Sequence, residues 1–165
     1  MGKEKGMVDV SAKDITVRIA VARGCVQLGA HAYRVLGEGS CAKGDVFATA
    51  KVAAIQAVKS TPAMVPMCHP LLVEGIEVEF EPNETEESVA VTVSVKASGK
   101  TGVEMEALCG VVAACLTIYD MLKYIGKAMT ITGIKLIEKT GGKSGDYKRQ
   151  DSGDIGLKGK RDAEG

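Results

Sequence analysis

The chain has no tryptophan, two phenylalanines and two histidines in 165 residues. Its core must therefore be built from aliphatic side chains and alanine, and each histidine is a rare titratable ring whose position asks for a reason. There is no charge bias either: 21 Lys plus Arg stand against 21 Asp plus Glu. A general grip on nucleic-acid phosphates calls for a basic excess, so nucleic acid is excluded as a bulk electrostatic partner, while a local basic pocket stays open. The five cysteines, Cys25, Cys41, Cys68, Cys109 and Cys115, are odd in number and contain no C-x-x-C. That spacing gives neither a disulfide framework nor a familiar zinc site, and free thiols point to a reducing compartment. "MGKEKGMVDV" has no apolar signal region, and no apolar run of membrane-spanning length is free of charges. The expectation is a cytoplasmic protein with no membrane partner.

What is present suits one soluble domain. Hydrophobic residues make up 45% and charged residues 25%, ordinary proportions for a globular chain of this length. "MVDV" (7–10) has the composition of a short pairing strand, and the β-branched stretch 15–29 reads as a strand. A short helix over 30–39 is stopped by Gly37 and Gly39. Asp45 then caps a helix over 46–59 whose face carries Val46, Ala50, Ala53 and Ala57, with Val52 and Ile55 on the other side. Prolines at 62, 66 and 70 break the next stretch into a connector. Residues 71–81 alternate Ile76, Val78 and Phe80 with Glu77, Glu79 and Glu81. Residues 89–97 alternate on Val89, Val91, Val93 and Val95, which predicts a hairpin with one buried face. A long small-residue helix over 103–125 follows, then a strand over 128–139. The glycine-rich, charged segment 140–165 is too poor in apolar residues to pack. With the first short helix as an insertion, the order is β-α-β-β-α-β. An antiparallel sheet with helices on one face leaves the other face to solvent or a partner, and helices apolar nearly all round predict an oligomer.

Several motifs bear on chemistry. "MCHP" places His69 between Cys68 and Pro70, and three roles stay open: metal ligand, buried structural histidine or catalytic residue. "GGKSGD" (141–146) is not a P-loop, because Ile137 stands where the first glycine is required. Lys139 and Lys143 on glycine-rich backbone still suit an anion. Asp120 and Lys123 share a helix face, as either a solvated ion pair or an acid–base pair. Glu104 and Glu106 suit a helix N-terminus. Lys43, just before a helix N-terminus, and Arg18, within a strand, suit phosphates. Glu106 and Asp120 are fourteen residues apart, roughly 21 Å along one helix. If both serve one site, that site is shared between subunits.

Together, and in order, "MVDVSAK" (7–13), "KGDVFATA" (43–50), "PMCHPLL" (66–72), "GKTGVEMEAL" (99–108), "LTIYDMLK" (116–123) and "GGKSGD" closely resemble one family. It is the cyclic pyranopterin monophosphate synthase accessory family, protein C of molybdenum cofactor biosynthesis, and the resemblance covers residues 7–147. It implies an α+β, ferredoxin-like subunit over 1–147 with a flexible tail over 148–165. The subunits would assemble as a hexamer, a trimer of dimers, with the active site at a dimer interface. The implied reaction converts 3′,8-cyclo-7,8-dihydroguanosine 5′-triphosphate, made from GTP by a radical cyclase, into cyclic pyranopterin monophosphate and pyrophosphate. By the same resemblance Asp120, Lys123 and Lys43 are catalytic. Met67, Cys68, His69, Glu104, Met105 and Glu106 contact substrate, and Arg18, Lys139 and Lys143 receive its triphosphate. No redox cofactor and no protein-held metal are expected, although a magnesium ion on the triphosphate fits the chemistry. A non-catalytic nucleotide-binding or scaffold module is the competing reading, and a structural metal protein resting on Cys68 and His69 is a third.

Overall fold

The computed structural model describes residues 6–143 and 145–150. Five strands form one open antiparallel sheet: β1 (Thr16–Gln27), β2 (Val73–Asn83), β3 (Ser88–Gly99), β4 (Thr130–Thr140) and β5 (Tyr147–Lys148), in the order β2-β3-β1-β4-β5. The helices are α1 (Ala30–Gly37), α2 (Val46–Lys59), α3 (Thr61–Met64) and α4 (Glu104–Leu122). α4 packs on β1, β3 and β4, and α2 lies beside it against β2.

The alternation read in the sequence becomes the inner face of the sheet. Val89, Val91, Val93, Val95 and Ala97 of β3 are wholly buried, and Val93 stands opposite Val78, Val91 opposite Phe80. Glu77, Glu79 and Glu81 remain exposed. In β1 the inward positions are Arg18, Ala20, Ala22, Gly24 and Val26, while Ile19, Val21 and Cys25 are only half-buried on the other face. The inner side is made of small residues because α4 comes close. A Cβ added at Gly24 would stand 2.7 Å from Val111 Cγ1. One at Gly110 would stand 2.9 Å from Val58 Cγ2 of α2 and 3.0 Å from Val93 Cγ1 of β3.

Capping and connection follow local chemistry. The Asp45 side chain accepts a 2.9 Å hydrogen bond from Ala48 N–H at the start of α2, as its N-cap position requires. The hairpin between β2 and β3 closes when Glu86 N–H donates to Asn83 Oδ1 at 3.1 Å. α4 is long and apolar enough to cross a membrane by length and composition alone. Here it is the central helix of the core, with Ala107, Val111, Ile118 and Leu122 fully buried.

Four expectations need correction. Residues 7–10 form no strand, and β1 begins only at Thr16. The proline connector contains one helical turn, α3, because Pro62 occupies a first-turn position where its missing N–H costs nothing. α4 ends at Leu122, and Lys123–Ile125 form a tightened turn with Ile125 N–H donating to Leu122 O. Beyond Thr140 the chain returns as β5, pinned when Arg149 N–H donates to Ile137 O at 2.8 Å. Residues 151–165 of the expected tail lie outside the described residues.

The close approach at Gly110 makes a stability prediction. Gly110→Ala gains about 1 kcal/mol of helix propensity but adds a methyl against two buried β-branched side chains, an overpacking that costs about 1–3 kcal/mol. Urea unfolding should show a net loss with an unchanged m-value. A gain in stability would mean that α2 and β3 give way freely.

Candidate active site

The sequence-predicted residues gather at the two ends of α4. At its N-terminal end two cavities adjoin. The first, of about 430 Å³, is walled by Lys13, Arg18, Lys100, Lys139 and Lys143, with Thr101, Gly102 and Glu104 on its floor. The second, of about 310 Å³, is lined by Met67, Cys68, His69, Leu71, Met105 and Glu106 and shares Thr101, Gly102 and Glu104 with the first. All nine residues expected to contact substrate therefore border this joined pair.

Local structure explains their placement. Arg18 is 7% exposed, on the inward face of β1 rather than the wet face usual for a strand arginine, and its Nε donates to Gly99 O at 3.4 Å. Glu104 opens α4 and folds back over Gly102, where any Cβ would collide with the Glu104 carboxylate. Lys139 Nζ lies 3.3 Å from Glu104 Oε1, linking β4 to the helix start. Glu106 is 3% exposed, and burial pushes its carboxyl above the ordinary 4.5, with the Glu104 charge adding to the rise. Burial likewise raises the Cys68 thiol, followed by the charges of Glu106 and Cys109. Cys68 and His69 gather no third metal donor among the described residues.

At the other end of α4, Asp120 stands between two ammonium groups. Lys123 Nζ is 2.6 Å from Asp120 Oδ1, and Lys43 Nζ is 2.8 Å from both Asp120 Oδ2 and the Asp120 carbonyl oxygen. Lys43 thus spans 77 residues of sequence to reach α4. Its loop is tied there by Ala42 N–H donating to Tyr124 Oη at 2.9 Å and by Cys41 Sγ–H donating to Met121 O at 3.4 Å. The hydrogen bond from Lys123, then that from Lys43, lowers the Asp120 carboxyl to about 2. The same bond raises Lys123 above its ordinary 10.5. Both shifts favour the charged forms. The trio is a pair of fixed ammonium groups oriented by a carboxylate, and none of it borders the two cavities at the other end.

The sequence reading missed Lys13, Lys100 and Thr101. Their signal was present, since Lys13 ends "MVDVSAK" and Lys100 and Thr101 open "GKTGVEMEAL". Spacing alone gave no reason to bring residue 13 beside residues 100 and 139.

Two titrations test this electrostatic description. A carboxyl raised by folding contributes stability in its protonated state, below the unfolded value, and loses it as pH rises through the folded value. Glu106→Gln should therefore be more stable than wild type at pH 7, with the gain gone near pH 4, as read by urea unfolding at both. Asp120→Asn should return Lys123 toward an ordinary lysine value in an NMR titration of its ammonium. An unmoved Lys123 would refute the pairing.

Comparison with known proteins gives the chain's family. The sequence profile of the MoaC family matches residues 7–142. A cyclic pyranopterin monophosphate synthase from Heliobacterium modesticaldum is 50% identical over 151 residues, 90% of this chain and 95% of that protein. The proteins of the same name from Desulfitobacterium hafniense and Thermomicrobium roseum are 53% and 48% identical, each over 88% of this chain and over 88% and 87% of their own lengths. The chain belongs to the MoaC family.

Proposed function

We propose that this protein is a cyclic pyranopterin monophosphate synthase acting in molybdenum cofactor biosynthesis. It takes 3′,8-cyclo-7,8-dihydroguanosine 5′-triphosphate from a radical GTP cyclase and releases pyrophosphate. The observation that carries this reading is the joined pair of cavities: a cationic wall suited to a triphosphate, continuous with an apolar and acidic chamber suited to a heterocycle. The names of the relatives agree with it.

The chemistry divides between the two ends of α4. Lys13, Arg18, Lys139 and Lys143 hold the triphosphate. When a substrate hydroxyl oxygen bonds the α-phosphorus, the bond to the bridging oxygen breaks and pyrophosphate leaves with its electron pair. Cations around that group offset the charge it gains. His69 and Glu106 face the base. A carboxyl raised by burial keeps its proton to higher pH than an ordinary one, and can give a proton and take it back as the purine ring opens and the pterin closes. Lys43 and Lys123, oriented by Asp120, supply fixed ammonium groups that stabilise developing anions and exchange protons with the substrate. A magnesium ion on the triphosphate would add to the cationic field. No redox step is required.

The two ends lie roughly 21 Å apart along the helix, so one small substrate meets both only if a second subunit brings its Asp120 trio to the cavities. The expected hexamer, a trimer of dimers, meets that need. Val112 and Leu116 on α4, 37% and 55% exposed, and Val52 on α2 at 64%, supply apolar surface for such contacts. The order β2-β3-β1-β4 with antiparallel pairing supports a ferredoxin-like reading of the domain over 1–147. A cytoplasmic setting fits five unpaired thiols.

The test is incubation of the purified protein with the cyclised substrate, assayed for pyrophosphate and for the oxidised fluorescent pterin. Wild type should release both. Asp120→Ala and Lys123→Ala should each lose a factor of about 10²–10⁴ in rate without loss of assembly. Tight substrate binding with neither product would instead favour a non-catalytic nucleotide-binding module.

A further inference from the structure

We propose that Lys100 is a positioning residue: its ammonium holds residues 9–13 against the mouth of the joined cavities and so sets Lys13 in the anion-binding wall. The proposal rests on the triphosphate reading of that wall. Residues 9–13 belong to no helix or strand. Ser11 N–H donates to Asp9 Oδ1 at 2.8 Å and Lys13 N–H donates to Val10 O at 3.1 Å. Both bonds shape the segment, but neither attaches it to anything else.

Attachment comes from the body of the fold. Lys100 Nζ donates to Ser11 O at 2.6 Å, across 89 residues of sequence. A bond from an ammonium to a carbonyl is charge-assisted and stronger than a neutral one. Lys100 follows the last residue of β3, whose inner row from Val89 to Ala97 is wholly buried, so the tether starts from rigid backbone. It lands midway between two charged side chains. On one side is Asp9, whose carboxyl the Ser11 hydrogen bonds chiefly lower, with the charges of Lys100 and His69 contributing after them. On the other is Lys13, which lines the 430 Å³ cavity and also a neighbouring one shared with Arg18 and Lys143. With the tether cut, residues 9–13 regain chain entropy and Lys13 leaves the wall for part of the time.

A double-mutant cycle on the full chain separates this role from direct anion binding. Lys13→Ala, Lys100→Ala and the double variant are compared for affinity toward inorganic tripolyphosphate by calorimetry, and for turnover of the cyclised substrate. Each single change should weaken tripolyphosphate about tenfold. The double variant should fall within about threefold of either single, because both remove the same contact. In turnover, Lys100→Ala should raise KM and leave kcat within about twofold. Multiplicative losses in the double variant would make Lys100 a direct phosphate ligand and overturn the proposal. So would wild-type affinity in Lys100→Ala, or a wild-type protein that binds no tripolyphosphate. A wild type that binds tripolyphosphate but forms no pterin would sink the synthase reading alone, since the affinity cycle still reads the tether.

Discussion

The contact on which the rest depends is the seating of α4 on the sheet and against α2. It is close because glycine stands where the elements meet, Gly24 under Val111 and Gly110 between Val58 and Val93. Close seating lets Val111, Ile118, Leu122 and Val93 be wholly buried, each such side chain contributing about 1.5–3 kcal/mol. It also fixes the site. Glu104 and Glu106 project from the first turn of α4, and Asp120 with the following Lys123 from its other end. A rigid, buried rod therefore sets both groups of candidate residues, and its length keeps them apart.

Charge is handled in opposite ways at those ends. Asp120 and its lysines are exposed, and their hydrogen bonds lower the Asp120 carboxyl and raise Lys123, each toward its charged form. Glu106 is buried beside another carboxylate and a thiol, and there the neutral form gains. The outcome is one carboxyl whose neutral form is favoured beside the apolar chamber and, at the opposite end, a carboxylate and Lys123 each shifted toward the charged form. Pairs of groups pushed in opposite directions by their surroundings divide acid and base work within an active site.

Much of the fold was legible in the sequence because its physical cause is local. The apolar/Glu alternation in β2, the valine alternation in β3 and the Asp45 cap each arise within a few residues, and the structure places them as read, while α4 stops three residues short of its read end. β1 was harder. Its inward row is Arg18, Ala20, Ala22, Gly24 and Val26, and its outward row carries Ile19 and Val21. Hydropathy alone favours the opposite orientation; the approach of α4, a contact between residues almost ninety positions apart, decides it. The same limit explains "MVDV" (7–10). Its β-branched composition suits a strand, but a strand needs a partner edge, and β1 is already paired on both sides by β3 and β4.

The candidate site was legible only as a set of motifs, since its decisive contacts are long-range. Lys43 was read as a helix N-terminal cation, yet its ammonium crosses to Asp120 and becomes part of the α4 terminus. Lys100 and Lys13 carried no mark beyond membership in two separate motifs, and a single ammonium–carbonyl bond brings them together. Arg18 shows why such contacts matter. A guanidinium on the inner face of a sheet is costly unless its donors find acceptors, and Gly99 O supplies one at the strand end. Arg18 also lines the 430 Å³ cavity, so on the proposed reading a triphosphate there would give this guanidinium a charged partner that the sheet itself does not supply.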